Sequence, residues 1–324
     1  MEVISLQGLL SLLMLSLRRE NLKREKIPLA NPKNFLNLHT CVKDNGKTEK
    51  KVLAHLLDLL NSLRPETSSG RETKDGGYII SGATEINATM FARDVILVKL
   101  NSHGDIEWAK TIGGDGLEHA AGIENTPDKG FVIAGITNSR GAGSVDSFIA
   151  KLKSNGELEW AKAIGGRKTD SDNWDGIRVT KDEGYIICGE SELFGVGKDL
   201  LITKLRKDGT LEWSKVIGGD GDDACWTVTP TQDGGYIAGG RFQVNMLSPN
   251  MDIPFVKLDS NGNFVWGTLL GDDSFQEIEE IKETEDGYIL AGVTSGKFFI
   301  AKLNRDGLVP NSRFIRRFTP KITA

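Results

Sequence analysis

Apolar and polar positions along most of this chain fall into short runs, and the same runs return about every fifty residues. Phe131-Val-Ile-Ala-Gly-Ile136 has no polar position, the pattern of a strand covered on both faces. Glu157-Leu-Glu-Trp-Ala-Lys-Ala-Ile164 alternates instead: Leu158, Trp160 and Ile164 share one face, Glu157 and Glu159 the other. That pattern predicts an outer strand with one buried side. Between them lies Ser147-Phe-Ile-Ala-Lys-Leu152, ended by a hairpin turn at Asn155-Gly156. A strand near Ala121–Asn125 leads into the turn Thr126-Pro-Asp128. Each unit therefore predicts four short strands.

The turn returns as Thr73-Lys-Asp75, Thr180-Lys-Asp182, Thr231-Gln-Asp233 and Thr284-Glu-Asp286, each running into a tyrosine strand. Successive threonines are 53, 54, 51 and 53 residues apart. Strand four returns as Ile106-x-Trp108, Leu211-x-Trp213 and Phe264-x-Trp266. Self-similarity of this period marks a repeat architecture. Four-stranded units with short hairpins, each shielding the next from water, are the blades of a propeller. The expected fold is all-β: a β-propeller of about five four-stranded blades over residues 66–324, with repeats near 70–120, 121–174, 175–225, 226–277 and 278–318. The edges are degenerate. The fifth copy has Lys297 where the others have Asp94, Asp146, Asp199 and Asp252, and its last strand, expected around Leu308–Ile315, lacks the Trp and the Gly-Gly pair. The first has Gly70 where Ile123, Ile177, Val228 and Ile281 stand. A closed ring of five and a portion of a longer propeller both fit.

Residues 1–65 hold no copy of the repeat. Two helical segments are expected there, near 5–25 and 48–63, separated by Pro28 and Pro32. Val52, Leu53, Leu56, Leu57, Leu59 and Leu60 have helical spacing. The apolar stretch Ile4 to Leu17 does not read as a signal peptide, because Glu2 precedes it and a basic run, Arg18 to Lys26, follows it. It is also too short to span a bilayer.

The run Asp146-Ser-Phe-Ile-Ala-Lys-Leu152, then Asn155-Gly156, then Trp160 and Gly165-Gly166 resembles the bacterial and archaeal β-propeller repeat family. The resemblance extends over residues 70–318. It implies the propeller fold and, since many members are exported, an exported or cell-surface location. The Trp-x-x-x-x-Gly-Gly stretch is also distantly similar to the tryptophan-docking repeats of quinoprotein propellers, although no adjacent cysteine pair accompanies it.

Charge narrows the partners. Residues 1–65 carry 11 Lys/Arg against 6 Asp/Glu, and the remainder 29 against 39. An acidic repeat domain is unsuited to nucleic acid, whose binding rests on neutralising phosphates; a protein or a carbohydrate ligand is expected. The three cysteines have no metal or disulfide spacing.

Residues that recur in every copy are expected to serve the blade; those that differ are candidates for function. The recurring Asp94, Asp146, Asp199 and Asp252 read as structural, through side-chain-to-backbone hydrogen bonds. Lys99, Lys151, Lys204, Lys257 and Lys302 read as a solvated or stem-packed strand face. The loops from strand two to three and from strand four to one differ among copies and share one end of the blades. On a rigid scaffold such loops carry binding. The binding-face candidates there are Trp174, Trp226, Arg241 and His119. Asp170, Asp172 and Asp175 resemble an incomplete calcium loop, its third carboxylate one place late and no closing Glu present. Calcium is the one metal the residues suggest, and no other cofactor is called for. The four histidines lack metal spacing, and nucleophile-elbow, Walker and dinucleotide motifs are absent. The expected role is a non-enzymatic binding module acting through the variable-loop face. The alternatives are a propeller enzyme (a quinone-cofactor dehydrogenase or a glycosidase) and a structural scaffold.

Overall fold

The computed structural model describes residues 69–85, 93–139, 141, 144–165, 170–192, 197–243, 251–271, 276–294, 297–309 and 315–323. The predicted helical segment at 1–65 lies outside them. The described residues form five antiparallel sheets and no helix. No described helix is therefore long and apolar enough to cross a membrane.

Sheet 1 holds β1 (Ser69–Glu72), β2 (Tyr78–Glu85), β3 (Arg93–Leu100) and β4 (Ile106–Ile112). Sheet 2 holds β5 (Glu118–Asn125), β6 (Phe131–Thr137), β7 (Asp146–Leu152) and β8 (Leu158–Ile164). Sheet 3 is built on β9 (Asp170–Val179), β10 (Tyr185–Ser191), β11 (Asp199–Leu205) and β12 (Leu211–Gly218). Sheet 4 is built on β13 (Ala224–Pro230), β14 (Tyr236–Gln243), β15 (Met251–Leu258) and β16 (Phe264–Leu270). Sheet 5 has three strands, β17 (Gln276–Thr284), β18 (Gly287–Thr294) and β19 (Lys297–Asn304). Each sheet is an up-and-down meander in chain order.

Consecutive sheets stack face to face and share a core. Ile79, Val95 and Leu97 of sheet 1 pack on Ile123, Phe131, Ile133 and Phe148 of sheet 2. Three further cores join sheets 2 and 3, 3 and 4, and 4 and 5. Cys188 and Cys225 are buried within the third of these four cores. The innermost strands also meet one another, β5 with β9, β9 with β13 and β13 with β17. That places them around one axis, as in a propeller.

The recurring residues account for the stacking. Trp108, Trp160, Trp213 and Trp266 each meet the first aromatic of the next sheet's second strand edge-on, at centroid distances of 5.6 to 6.1 Å. Each such pair adds about 0.5–1.5 kcal/mol beyond area burial. The hairpin glycines Gly156, Gly209, Gly262 and Gly307 have positive φ, and a Cβ on any of them would strike the same Trp ring. The strand-three aspartates lie against the glycine at the end of strand four, which is the first of a Gly-Gly pair in sheets 1 to 3 and stands before Asp272 in sheet 4. A Cβ at Gly113, Gly165, Gly218 or Gly271 would come within 1.7 to 2.0 Å of the Oδ1 of Asp94, Asp146, Asp199 or Asp252.

Two expectations are corrected. The lysines at 99, 151, 204 and 257 are buried, at 2–5% exposure, and do not form a solvated face. Lys99 Nζ donates to Asp75 at 3.0 Å, Glu107 at 2.8 Å and the Leu100 carbonyl at 2.9 Å, and the set repeats with Lys151 and Lys204. The aspartate is the one from the Thr-x-Asp turn, so the lysine fastens turn to strand. Lys302 keeps the pairing with Asp286 but stays exposed. The second correction is the last strand. After its hairpin, closed by Asn304 N donating to Leu308 O at 2.9 Å, sheet 5 gains no fourth strand among the described residues. Pro310 stands where other copies have Glu107, Glu159, Glu212 or Val265, and Asn311 where they have Trp. Proline cannot donate to a ladder. The chain instead runs backwards over its neighbours: β20 (Ile315–Arg317) pairs with β16, and β21 (Lys321–Thr323) with β12. Phe318 between them packs on Phe242 at 5.2 Å.

Candidate functional site

With the recurring Trp, Lys, Thr and Asp committed to blade packing, the chemistry left over lies at departures from the repeat. The fifth residue after the strand-two aromatic is apolar in three sheets: Ala83, Ile136 and Val293. In sheets 3 and 4 it is Glu190 and Arg241. The stacking brings these two together at the variable-loop end. Arg241 Nη2 lies 3.7 Å from Glu190 Oε2, and Lys198 Nζ bonds Glu190 Oε1. Glu190 is nearly buried between two cations that stay about a third exposed. Beneath Arg241 lies the Trp226 ring, 5.9 Å from the guanidinium carbon. Trp226 is the extra residue of a bulge between Cys225 and Thr227, and bulges re-aim side chains. It is partly exposed.

The loop behind this cluster is fixed by carboxylates. Asp222 accepts from the Lys198 backbone at 3.0 Å, while its own N–H donates to Gln243 Oε1 at 3.0 Å. Asp223 is fully buried and accepts from the N–H groups of Gly219 and Gln243, both at 2.8 Å. Burial pushes its pKa up to about 7, against the two backbone hydrogen bonds, with Asp199 and Asp222 adding to the rise. Burial likewise lifts Asp94 and Asp199 to about 6. A general acid must reach its substrate, and Asp223, with no exposed surface and both oxygens held by backbone, is placed to shape the loop.

The predicted candidates divide. Trp226 and Arg241 come together. His119 lies apart, on β5 beside Arg93 of sheet 1, and burial followed by the Arg93 charge holds its pKa below the usual value. Trp174, Asp170, Asp172 and Asp175 have their backbone in β9, where Asp170 pairs with Ser191 and Asp172 with Gly189; their side chains lie outside the described ones. No group of three or more His, Cys, Asp or Glu is arranged to hold a metal among the described residues.

The innermost strands carry residues that sequence reasoning missed. Arg71 donates to Glu124 at 3.1 Å, Arg178 lies 3.5 Å from the same oxygen, and its other nitrogen is 3.4 Å from Glu280. Thr229 Oγ1 donates to the Ile281 carbonyl at 2.8 Å. The signal was present: two places before each turn threonine stand Arg71, Glu124, Arg178, Thr229 and Lys282, a position that changes in every copy. Concavities also open on the opposite, short-turn face, about 510 Å³ beside Trp108 and about 490 Å³ beside Trp160. Their floors are the recurring Trp and Lys that hold the blades.

Compared with known proteins, the chain matches no family model and no curated protein sequence. Among solved structures it is similar to a subtype N10 neuraminidase-like protein of A/little yellow-shouldered bat/Guatemala/060/2010, at 11% identity and TM-score 0.44 over 71% of this chain and 79% of that one. It is also similar to a GH43 endo-arabinanase from Bacillus licheniformis, at 15% identity and TM-score 0.39 over 74% and 94%. Both scores fall below 0.5, so the fold assignment rests on the sheet packing above.

Proposed function

We propose that the protein is a binding module that holds a protein or glycan ligand at the variable-loop end of sheets 3 and 4. The observation that carries this reading is the Trp226–Arg241–Glu190–Lys198 cluster. It combines a part-exposed aromatic, two cations and one carboxylate, with Glu190 and Arg241 at a position that is apolar in the other three sheets. Trp and Arg are the side chains that most often dominate binding energy at interfaces. Glu190 orients both cations, so they are ordered before a ligand arrives and less freedom is lost on binding. The carboxylates below serve the same end by fixing the loop.

The test is a binding screen of the full chain against neutral and acidic oligosaccharides and a displayed peptide library, repeated with Trp226→Ala and Arg241→Ala. Each variant is expected to weaken a captured ligand by about tenfold or more with the melting temperature nearly unchanged. Ligands that bind both variants as well as the parent chain would overturn the assignment of the site.

A further inference from the structure

The β3 residues on the leading face of sheet 1, the face turned away from sheet 2, are buried although no other described sheet contributes to their core. Ile80, Ile96, Val98 and Leu100 stand where sheet 2 has Ile133, Phe148, Ala150 and Leu152. In sheet 2 those residues pack under the preceding sheet. No described sheet precedes sheet 1, and the cluster of Ile96, Val98 and Leu100 draws every member from sheet 1 itself. These three nevertheless expose only 2, 4 and 6%. An uncovered face in the same molecule looks different: Ile289, Phe298 and Ile300 of sheet 5 expose 40, 68 and 63%. An apolar sheet face is buried only by another layer.

We propose that residues 48–63 dock on this face as an amphipathic helix, taking the place of a preceding blade. The tether selects them. Five residues separate Leu63 from Ser69, so the segment must end within about 20 Å of β1. Ser69 pairs with Ser81 and Ser81 with Leu97, which puts the whole face within that radius. The pattern selects them as well, since Val52, Leu53, Leu56, Leu57, Leu59 and Leu60 supply one apolar stripe. Gly70 completes the fit. Every other innermost strand places Ile or Val there, and a Cβ at Gly70 would meet nothing closer than 3.5 Å. The row Gly70, Ile80, Val98, Ala109 thus has room for a partner's side chains. The loop from β2 to β3 joins at Arg93, seven residues or about 23 Å along the strand from Leu100, and is poorly placed to cover that end.

The probe is a thiol in the full chain: Ile80→Cys with Cys41→Ser, the other cysteines being buried. Maleimide labelling is expected to be slow, and about tenfold or more faster once Leu56→Asp and Leu57→Asp are added. Equal rates in the two backgrounds overturn the proposal, whether both are fast or both slow. Labelling that slows as the concentration rises, with dimers seen by light scattering, overturns it in favour of a second copy. Where Ile80→Cys does not fold, amide exchange of β3 in the Leu56→Asp/Leu57→Asp chain decides: lost protection at Ile96–Leu100 supports the docking, and unchanged protection refutes it.

Discussion

Two sets of aspartates have opposite electrostatic fates, and together they set a pH profile. Hydrogen bonds from the turn and the buried lysine hold Asp75 at about 2 against a smaller rise from burial; burial raises Asp128 and Asp233 more, yet the same bonds hold them at about 2 as well. Their stabilisation is present above the unfolded value near 4 and is lost as pH falls towards 2. Asp94, Asp199 and Asp223 are raised to about 6, 6 and 7. The folded chain binds their protons more tightly than the unfolded chain, so their contribution falls as pH rises from about 4 to 7. Stability against urea is expected to peak near pH 4–5, and the decline above the peak to flatten in Asp223→Asn. A peak at neutral pH would contradict these environments. The sequence hid part of this. Lysine is seldom buried, so Lys99 read as solvated or packed only along its stem, with no buried ion pair expected. Its partner Glu107 is the extra residue of a bulge opposite Lys99 and Leu100, and only that register turns the carboxylate onto the amine. Glu190 and Arg241 were legible as departures from an apolar position, but their pairing depends on how two sheets stack.

At the scale of the element, the repeat motif is a set of fitted pairs. The glycine of each Gly-Gly pair and the aspartate nineteen residues before it, as in Asp199 and Gly218, form one contact. Gly218→Ala is expected to cost about 1–3 kcal/mol, and adding Asp199→Ala to return part of it, because the two positions share the crowded space. Strict additivity in that thermodynamic cycle would disprove the contact. The same pairing explains why sheet 5 lacks both partners together, with Lys297 in the aspartate's place and no Gly-Gly after it. Strands and hairpins were readable from alternation and from Asn-Gly or Asp-Gly turns. The backward course of β20 and β21 was not, since three-residue strands leave almost no periodicity and their partners lie far away in sequence.

Across the whole molecule, the variable-loop site has meaning only if the sheets share an axis. Side chains near that axis tie distant sheets together: Arg178 of sheet 3 touches Glu124 of sheet 2 and Glu280 of sheet 5. Five sheets stacked in a straight line would make this impossible, because sheets 2 and 5 would stand about 30 Å apart at the usual spacing of about 10 Å. The most direct measurement is the spin-label distance between Glu124→Cys and Glu280→Cys in the full chain carrying Cys41→Ser, Cys188 and Cys225 being buried. Convergent blades predict one narrow distribution far shorter than that linear spacing, whereas a distance of about 30 Å or more would contradict the common axis.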